Sequence, residues 1–316
     1  MTSRFLHVTL VFGVFALTAA GGTPPFSFST RTDLTTISSV AVVSADFNGD
    51  HVADLAVLGA GSVQIYLGKG NRRFAAPMLV PLGGQPNSYI GLCVADINND
   101  GKPDLVVSGS KTLIFFGNGD GTFTAGPTLS TGGLPVVAAD FNLDGNQDLA
   151  IDTGNQIEVL LGNGKGGFSA PTVLSSASGC LAVGDFNSDG KPDVIGCGLN
   201  SVSVFLGNGD GTFSAAINSA IPSSAIYATV GDLNGDGKLD VAAVANYENG
   251  SNPSLGPVYV LYGNGDGTFQ PTLQVHTNIG PVFSVGIGDL NGDGLPDLVA
   301  AGLGGLPGAP YVGSLV

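Results

Sequence analysis

One nine-residue pattern, Asp-x-Asn-x-Asp-x-x-x-Asp, occurs six times in this 316-residue chain, starting at Asp46, Asp96, Asp140, Asp185, Asp232 and Asp289. Successive starts lie 44 to 57 residues apart. An alternating apolar run follows most copies and ends in Gly-Asn-Gly-x-Gly-x-Phe, at residues 117–123, 162–168, 207–213 and 263–269, with a degenerate form at 68–74. Self-similarity at this period means that each repeat is one supersecondary unit, and the whole is a stacked or radial array.

Within one unit four strands can be read. In the fourth repeat, residues 179–184 lead into the acidic pattern and 193–198 leave it. Residues 201–206 alternate as a strand with one buried face should, and 213–218 lead away. Four antiparallel strands per roughly 45 residues is the content of a β-propeller blade. A parallel β-helix would use shorter rungs, and a sandwich would not repeat its sequence. The expected fold is therefore all-β, a β-propeller of four-stranded antiparallel blades. The last unit is short, with nineteen residues after Asp297. Residues 26–36 look like a fourth strand that has lost its first three. Six blades, with that N-terminal strand closing the last one, is the expectation; a truncated seven-bladed ring is the alternative. Composition agrees: 51 Gly and only 11% charged residues suit short strands and tight turns, not helices.

Residues 1–22 read as a signal peptide, with Arg4, an apolar run and small residues from Thr18 to Gly22. The run is too short for a comfortable membrane span, and no other stretch is long enough. The expected product is a single propeller domain over residues 23–316, exported to the periplasm, the cell surface or the medium; an uncleaved N-terminal anchor is the alternative. Ten Lys and Arg against 25 Asp and Glu give a formal charge of −15, which excludes nucleic acid as a partner. With Cys180 five residues before the fourth acidic pattern and Cys197 four after it, a disulfide across that hairpin is expected. Cys93 is then a lone thiol; three buried, reduced cysteines are the alternative.

Three Asp in each of six patterns account for 18 of the 25 acidic residues. Positions 1, 3 and 5 put oxygen donors on one side of a tight loop. Gly at position 6 allows a sharp turn. The carbonyl of position 7 and the Asp at position 9 then complete an all-oxygen set of the kind Ca²⁺ prefers. An EF-hand would instead close with Glu at position 12 between helices. A solvated Asx-turn without metal is the competing reading.

These loops, together with Leu-Gly-Asn-Gly-Asp-Gly-Thr-Phe, resemble the FG-GAP/VCBS repeat family of integrin α-chain-like propellers, over about residues 40 to 300. The resemblance implies up to six Ca²⁺ ions. Its ligands fall on Asp46, Asn48, Asp50, Val52 and Asp54; Asp96, Asn98, Asp100, Lys102 and Asp104; and Asp140, Asn142, Asp144, Asn146 and Asp148. In the later repeats they fall on Asp185, Asn187, Asp189, Lys191 and Asp193; Asp232, Asn234, Asp236, Lys238 and Asp240; and Asp289, Asn291, Asp293, Leu295 and Asp297. Position 7 contributes its carbonyl. The first copy departs from the pattern, with His51 in the Gly place.

The resemblance also implies a non-catalytic adhesion or binding module for a protein or glycan. A lectin is the alternative, with no Trp and seven Tyr to serve as sugar platforms. An enzyme is the reading from another class. Outside the loops and turns only Asp33, Asp152, Glu158 and Glu248 remain, and no pair among them shows a motif for acid–base work. A long connection near residues 246–257, with Tyr247, Glu248 and Asn249, is the candidate recognition loop. The recurrent Phe123, Phe168, Phe213 and Phe269 are expected to pack between repeats.

Overall fold

The computed structural model describes residues 39–59, 61–71, 73–83, 89–175, 179–245, 257–275, 282–289, 294–302 and 312–315. Among them every regular element is a strand, and no helix is long and apolar enough to cross a membrane. The leader, residues 26–36 and the 246–256 connection lie outside the described residues. The described residues form two compact units, divided between Val173 and Leu174. Each carries the sheets of three repeats.

The fourth repeat shows how one sheet is made. Its strands are Leu181–Gly184, Asp193–Gly198, Ser201–Phe205 and Ile217–Ala220, each paired antiparallel with the next in chain order. The second and third strands are nearly continuous runs of buried residues, Val194, Ile195, Cys197, Val202 and Val204 among them. Both faces of the sheet's middle are therefore covered, while the outer strand alternates between half-buried and exposed. Four of the other sheets repeat this meander with four strands. The last holds three among the described residues: Val282–Gly288, Asp297–Gly302 and Val312–Leu315.

The fourth strand of this repeat starts later than the sequence suggests. Phe213 forms only an isolated bridge to Gly207, and the Ser214 amide donates to the Leu206 carbonyl at 2.8 Å. This closes the turn before the chain rejoins the ladder at Ile217. In the second repeat Phe123–Leu129 is one strand, paired with the third strand across a register shift between Leu113 and Phe115.

Cys180 and Cys197 form a disulfide, with Cα atoms 5.0 Å apart and 17 residues of separation, as the hairpin placement predicts. Both lie within a cluster built on Phe186, Ile195, Val202 and Val204. Cys93 is a free thiol, and burial pushes its pKa up to about 12. Thiol titration of denatured, unreduced protein is expected to count one group per chain. Replacing both Cys180 and Cys197 by Ala is expected to cost about 2–4 kcal/mol in denaturant melts, because a loop of this length loses its cross-link in the unfolded state.

Candidate metal centre

The acidic loops fold alike. The backbone amide of position 6 donates to Oδ2 of the position 1 Asp at 2.8 Å in five loops (His51, Gly101, Gly145, Gly190 and Gly237) and at 2.9 Å from Gly294 in the sixth. The amide of position 5 is shared between Oδ1 of that Asp and the Asn carbonyl oxygen at position 3, as Asp189 shows at 3.1 Å to each. The amide of position 7 donates to Oδ1 of the position 5 Asp, from 2.8 Å at Val52 and Asn146 to 3.0 Å at Lys102, Lys191 and Lys238. Side chains two to five residues away thus satisfy amides that no strand can reach. The backbone donors hold the carboxyls of Asp46, Asp144 and Asp232 below the usual carboxylate range. Asn291 and Asp293 lie outside the described residues.

Position 9 plays a part that the spacing does not reveal. Asp54, Asp104, Asp148, Asp193 and Asp240 are each 0% exposed. Each accepts from two backbone amides that are far apart in sequence. Oδ2 of Asp193 takes the Phe186 amide at the start of the acidic loop, and Oδ1 takes the Gly207 amide at the end of the third strand, both at 2.8 Å. The same pair of bonds recurs in the other four. One buried carboxylate therefore ties the first hairpin of a repeat to the second. Burial pushes these five carboxyls up, against the pull of the two amides. It also explains the first Gly of the turn motif. A Cβ at Gly68, Gly117, Gly162, Gly207 or Gly263 would collide with the carbonyl oxygen just before the position 9 Asp.

His51 keeps the loop conformation of its glycine counterparts, at φ 63° against 79° to 87° for Gly101, Gly145, Gly190, Gly237 and Gly294. The first loop makes the same bonds as the rest, so Asp54 is as deeply engaged as its counterparts. A left-handed backbone costs a Cβ-bearing residue about 1–2 kcal/mol, partly offset by glycine's greater freedom when unfolded. His51→Gly is expected to stabilise the protein by about 0.5–1 kcal/mol, read as a rise in the urea midpoint at unchanged slope.

Two of the recurrent phenylalanines pack on the preceding repeat. Phe123 meets Phe47 edge-on at 5.5 Å, and Phe269 meets Phe186 at 6.0 Å. The Gly121 and Gly267 amides donate to the carbonyls of those same partners, Phe47 and Phe186. Each turn is thereby docked on the acidic loop of the preceding repeat.

Among the described residues no three His, Cys, Asp or Glu side chains gather closely enough to hold a metal ion. The position 9 carboxylate, held between two amides, does not join positions 1 and 5 in such a group. The donor chemistry nonetheless fits a hard cation. Each of the first five loops carries two carboxylates, an Asn carbonyl and a backbone carbonyl without a soft ligand, and each position 9 oxygen in them retains a second lone pair. Positive or N–H groups already collect at the position 5 oxygens. Asn48, Asn98 and Asn142 donate to Oδ2 of Asp50, Asp100 and Asp144 at 3.0 to 3.2 Å. Lys102, Lys191 and Lys238 bring an ammonium to the same atom of Asp100, Asp189 and Asp236.

Of the four remaining acidic residues, Asp33 and Glu248 lie outside the described residues, as do Tyr247 and Asn249. Asp152 and Glu158 stand on neighbouring strands, where Ile151 pairs with Glu158 and Asp152 with Ile157. Paired residues share a face and consecutive ones alternate, so the two carboxylates lie on opposite faces of the sheet. Asp152 accepts from the Gly154 amide, and Glu158 from Thr131 and Gln156.

A model of the FG-GAP-like repeat matches residues 46–107, 140–196, 185–243 and 232–300. The chain belongs to the FG-GAP-like repeat family, and its fold is a β-propeller built of four-stranded antiparallel blades. No curated protein matches it. Among solved structures it is similar to an Agrocybe aegerita lectin described as recognising non-reducing terminal N-acetylglucosamine, with 23% identity and a TM-score of 0.60. That match covers 87% of this chain and 79% of the lectin. It is also similar to BBS1N, solved in complex with ARL6DN, with 16% identity and a TM-score of 0.56, over 84% of this chain and 75% of that one.

Proposed function

We propose that the protein is a calcium-binding propeller, exported to the periplasm, the cell surface or the medium, that acts as a non-catalytic binding module for a protein or glycan. The observation that supports this reading is the acidic loop itself, folded the same way in repeat after repeat and carrying oxygen donors without a soft ligand. Asp at positions 1 and 5, Asn at position 3 and the position 7 carbonyl would hold the ion, with the position 9 carboxylate linking that loop to the next hairpin. A bound divalent ion would neutralise carboxylates that otherwise repel one another. Its part is to stiffen the first hairpin of each repeat. Export is supported by the disulfide, which persists in oxidising compartments. The non-catalytic reading is supported by the separation of Asp152 and Glu158 onto opposite faces.

A glycan ligand has one specific observation in its favour besides the likeness to a lectin. A polar cleft of about 330 Å³ is lined by Ser130, Thr131, Gly132, Thr153 and Glu158, at the far end of the third repeat's strands from its acidic loop. The depression is shallow and open, and its hydroxyls and carboxylate suit a polyhydroxylated ligand, although no aromatic platform stands among these residues. The test is a glycan array probed in millimolar calcium and again after chelation. Binding that disappears with calcium is the expected result. Release of shortened saccharides would contradict the non-catalytic reading, and an array without bound glycan would leave the protein-ligand form of the proposal.

A further inference from the structure

The loops are not equivalent, and the difference lies in a side chain that is not itself a donor to the ion. Position 7 contributes a carbonyl, so its side chain is free to vary. In the second, fourth and fifth loops it is Lys102, Lys191 and Lys238, whose ammonium nitrogens lie 3.6, 3.2 and 3.9 Å from Oδ2 of Asp100, Asp189 and Asp236. In the first and third loops the residue is Val52 and Asn146. The turn of the same repeat varies in step. Asp120, Asp210 and Asp266 accompany the three lysines, whereas in the third repeat the turn carries Lys165 and the loop carries Asn146.

The lysine stems also lie against the turns. A Cβ at Gly119 or Gly265 would press on the Cδ of Lys102 or Lys238. Asp120, Asp210 and Asp266 are held below the usual carboxylate range first by the Thr122, Thr212 and Thr268 hydroxyls, with Lys102, Lys191 and Lys238 adding a smaller pull. The stems of Lys102 and Lys238 therefore run along the turn, while all three ammonium groups are paired with the loop carboxylate.

Resting on the calcium reading of these loops, we infer that Lys102, Lys191 and Lys238 are resident counter-ions that must leave the position 5 carboxylate before a divalent cation can use it. The second, fourth and fifth loops are consequently the weaker sites, and the third, with Asn146, is a stronger one. An exposed ion pair of this kind shifts a binding constant roughly two- to fivefold, and salt screens it.

The test is titration of calcium-stripped protein with CaCl₂ in competition with a chromophoric chelator at low ionic strength, on wild type and two variants. The triple variant Lys102→Met, Lys191→Met, Lys238→Met is expected to tighten the weaker steps roughly two- to fivefold. Asn146→Lys is expected to weaken one tight step by a similar factor. Both differences should shrink in about 1 M NaCl. Wild-type binding constants in both variants would overturn the counter-ion role while leaving the loops as calcium sites. A wild type that takes up no calcium would overturn the reading on which it rests.

Discussion

Chelating the divalent ions is expected to lower the melting temperature by on the order of ten degrees. Each loop brings acidic groups together within nine residues, and their repulsion opposes folding unless a cation is present. An ion that binds only the folded form stabilises it by RT ln(1 + [L]/Kd). At millimolar calcium, with the affinities of about 10⁻⁴ to 10⁻³ M typical of extracellular modules, each site contributes roughly 0.4–1.4 kcal/mol. Six independent sites then supply about 2–8 kcal/mol, comparable with the stability of a whole domain. Magnesium is expected to restore little of the loss, because it demands a tighter octahedron and dehydrates reluctantly. Calorimetric scans in calcium, in magnesium and in chelator check this; coincident scans would mean that the loops are Asx-turns and nothing more.

The second large effect is independent of metal. Asp193→Ala strips the Phe186 and Gly207 amides of their shared acceptor in a fully buried place. Orphaning two buried donors that bonded to a charged group is expected to cost about 3–5 kcal/mol. Asp54→Ala is expected to cost a similar amount, since its two bonds are the same. Measured in chelator, the loss distinguishes the two duties of position 9. A residue that served only as a ligand would cost nothing there, whereas the structure requires nearly the full loss. Urea melts of both variants against wild type, all in chelator, provide the comparison.

Much of this architecture is legible in the sequence because repetition makes each signal six times as strong. The period, the alternating strands and the Asp-x-Asn-x-Asp turns are local features, and local features survive into the fold. The Cys180–Cys197 bridge was legible for the same reason: the hairpin between them fixes their register. What was not legible is long-range. Nothing in the spacing says that Asp193 reaches Gly207, because the bond crosses from one hairpin to the next and depends on how two strands pair. The late start of the Ile217–Ala220 strand is likewise decided by the Gly207–Phe213 bridge and not by the propensity of residues 213–216. His51 misleads in the other direction. Its side chain suggests a damaged loop, but a single left-handed residue is an affordable strain once six backbone bonds already define the turn.

The most direct measurement is the amount of calcium bound per chain. Protein stripped with chelator and dialysed to equilibrium against millimolar calcium is analysed by elemental mass spectrometry against protein concentration. The account predicts several ions per chain, up to six, all removed by chelator, with one fewer after Asp100→Ala or Asp236→Ala. Calcium at no more than the level of the dialysis buffer would contradict it.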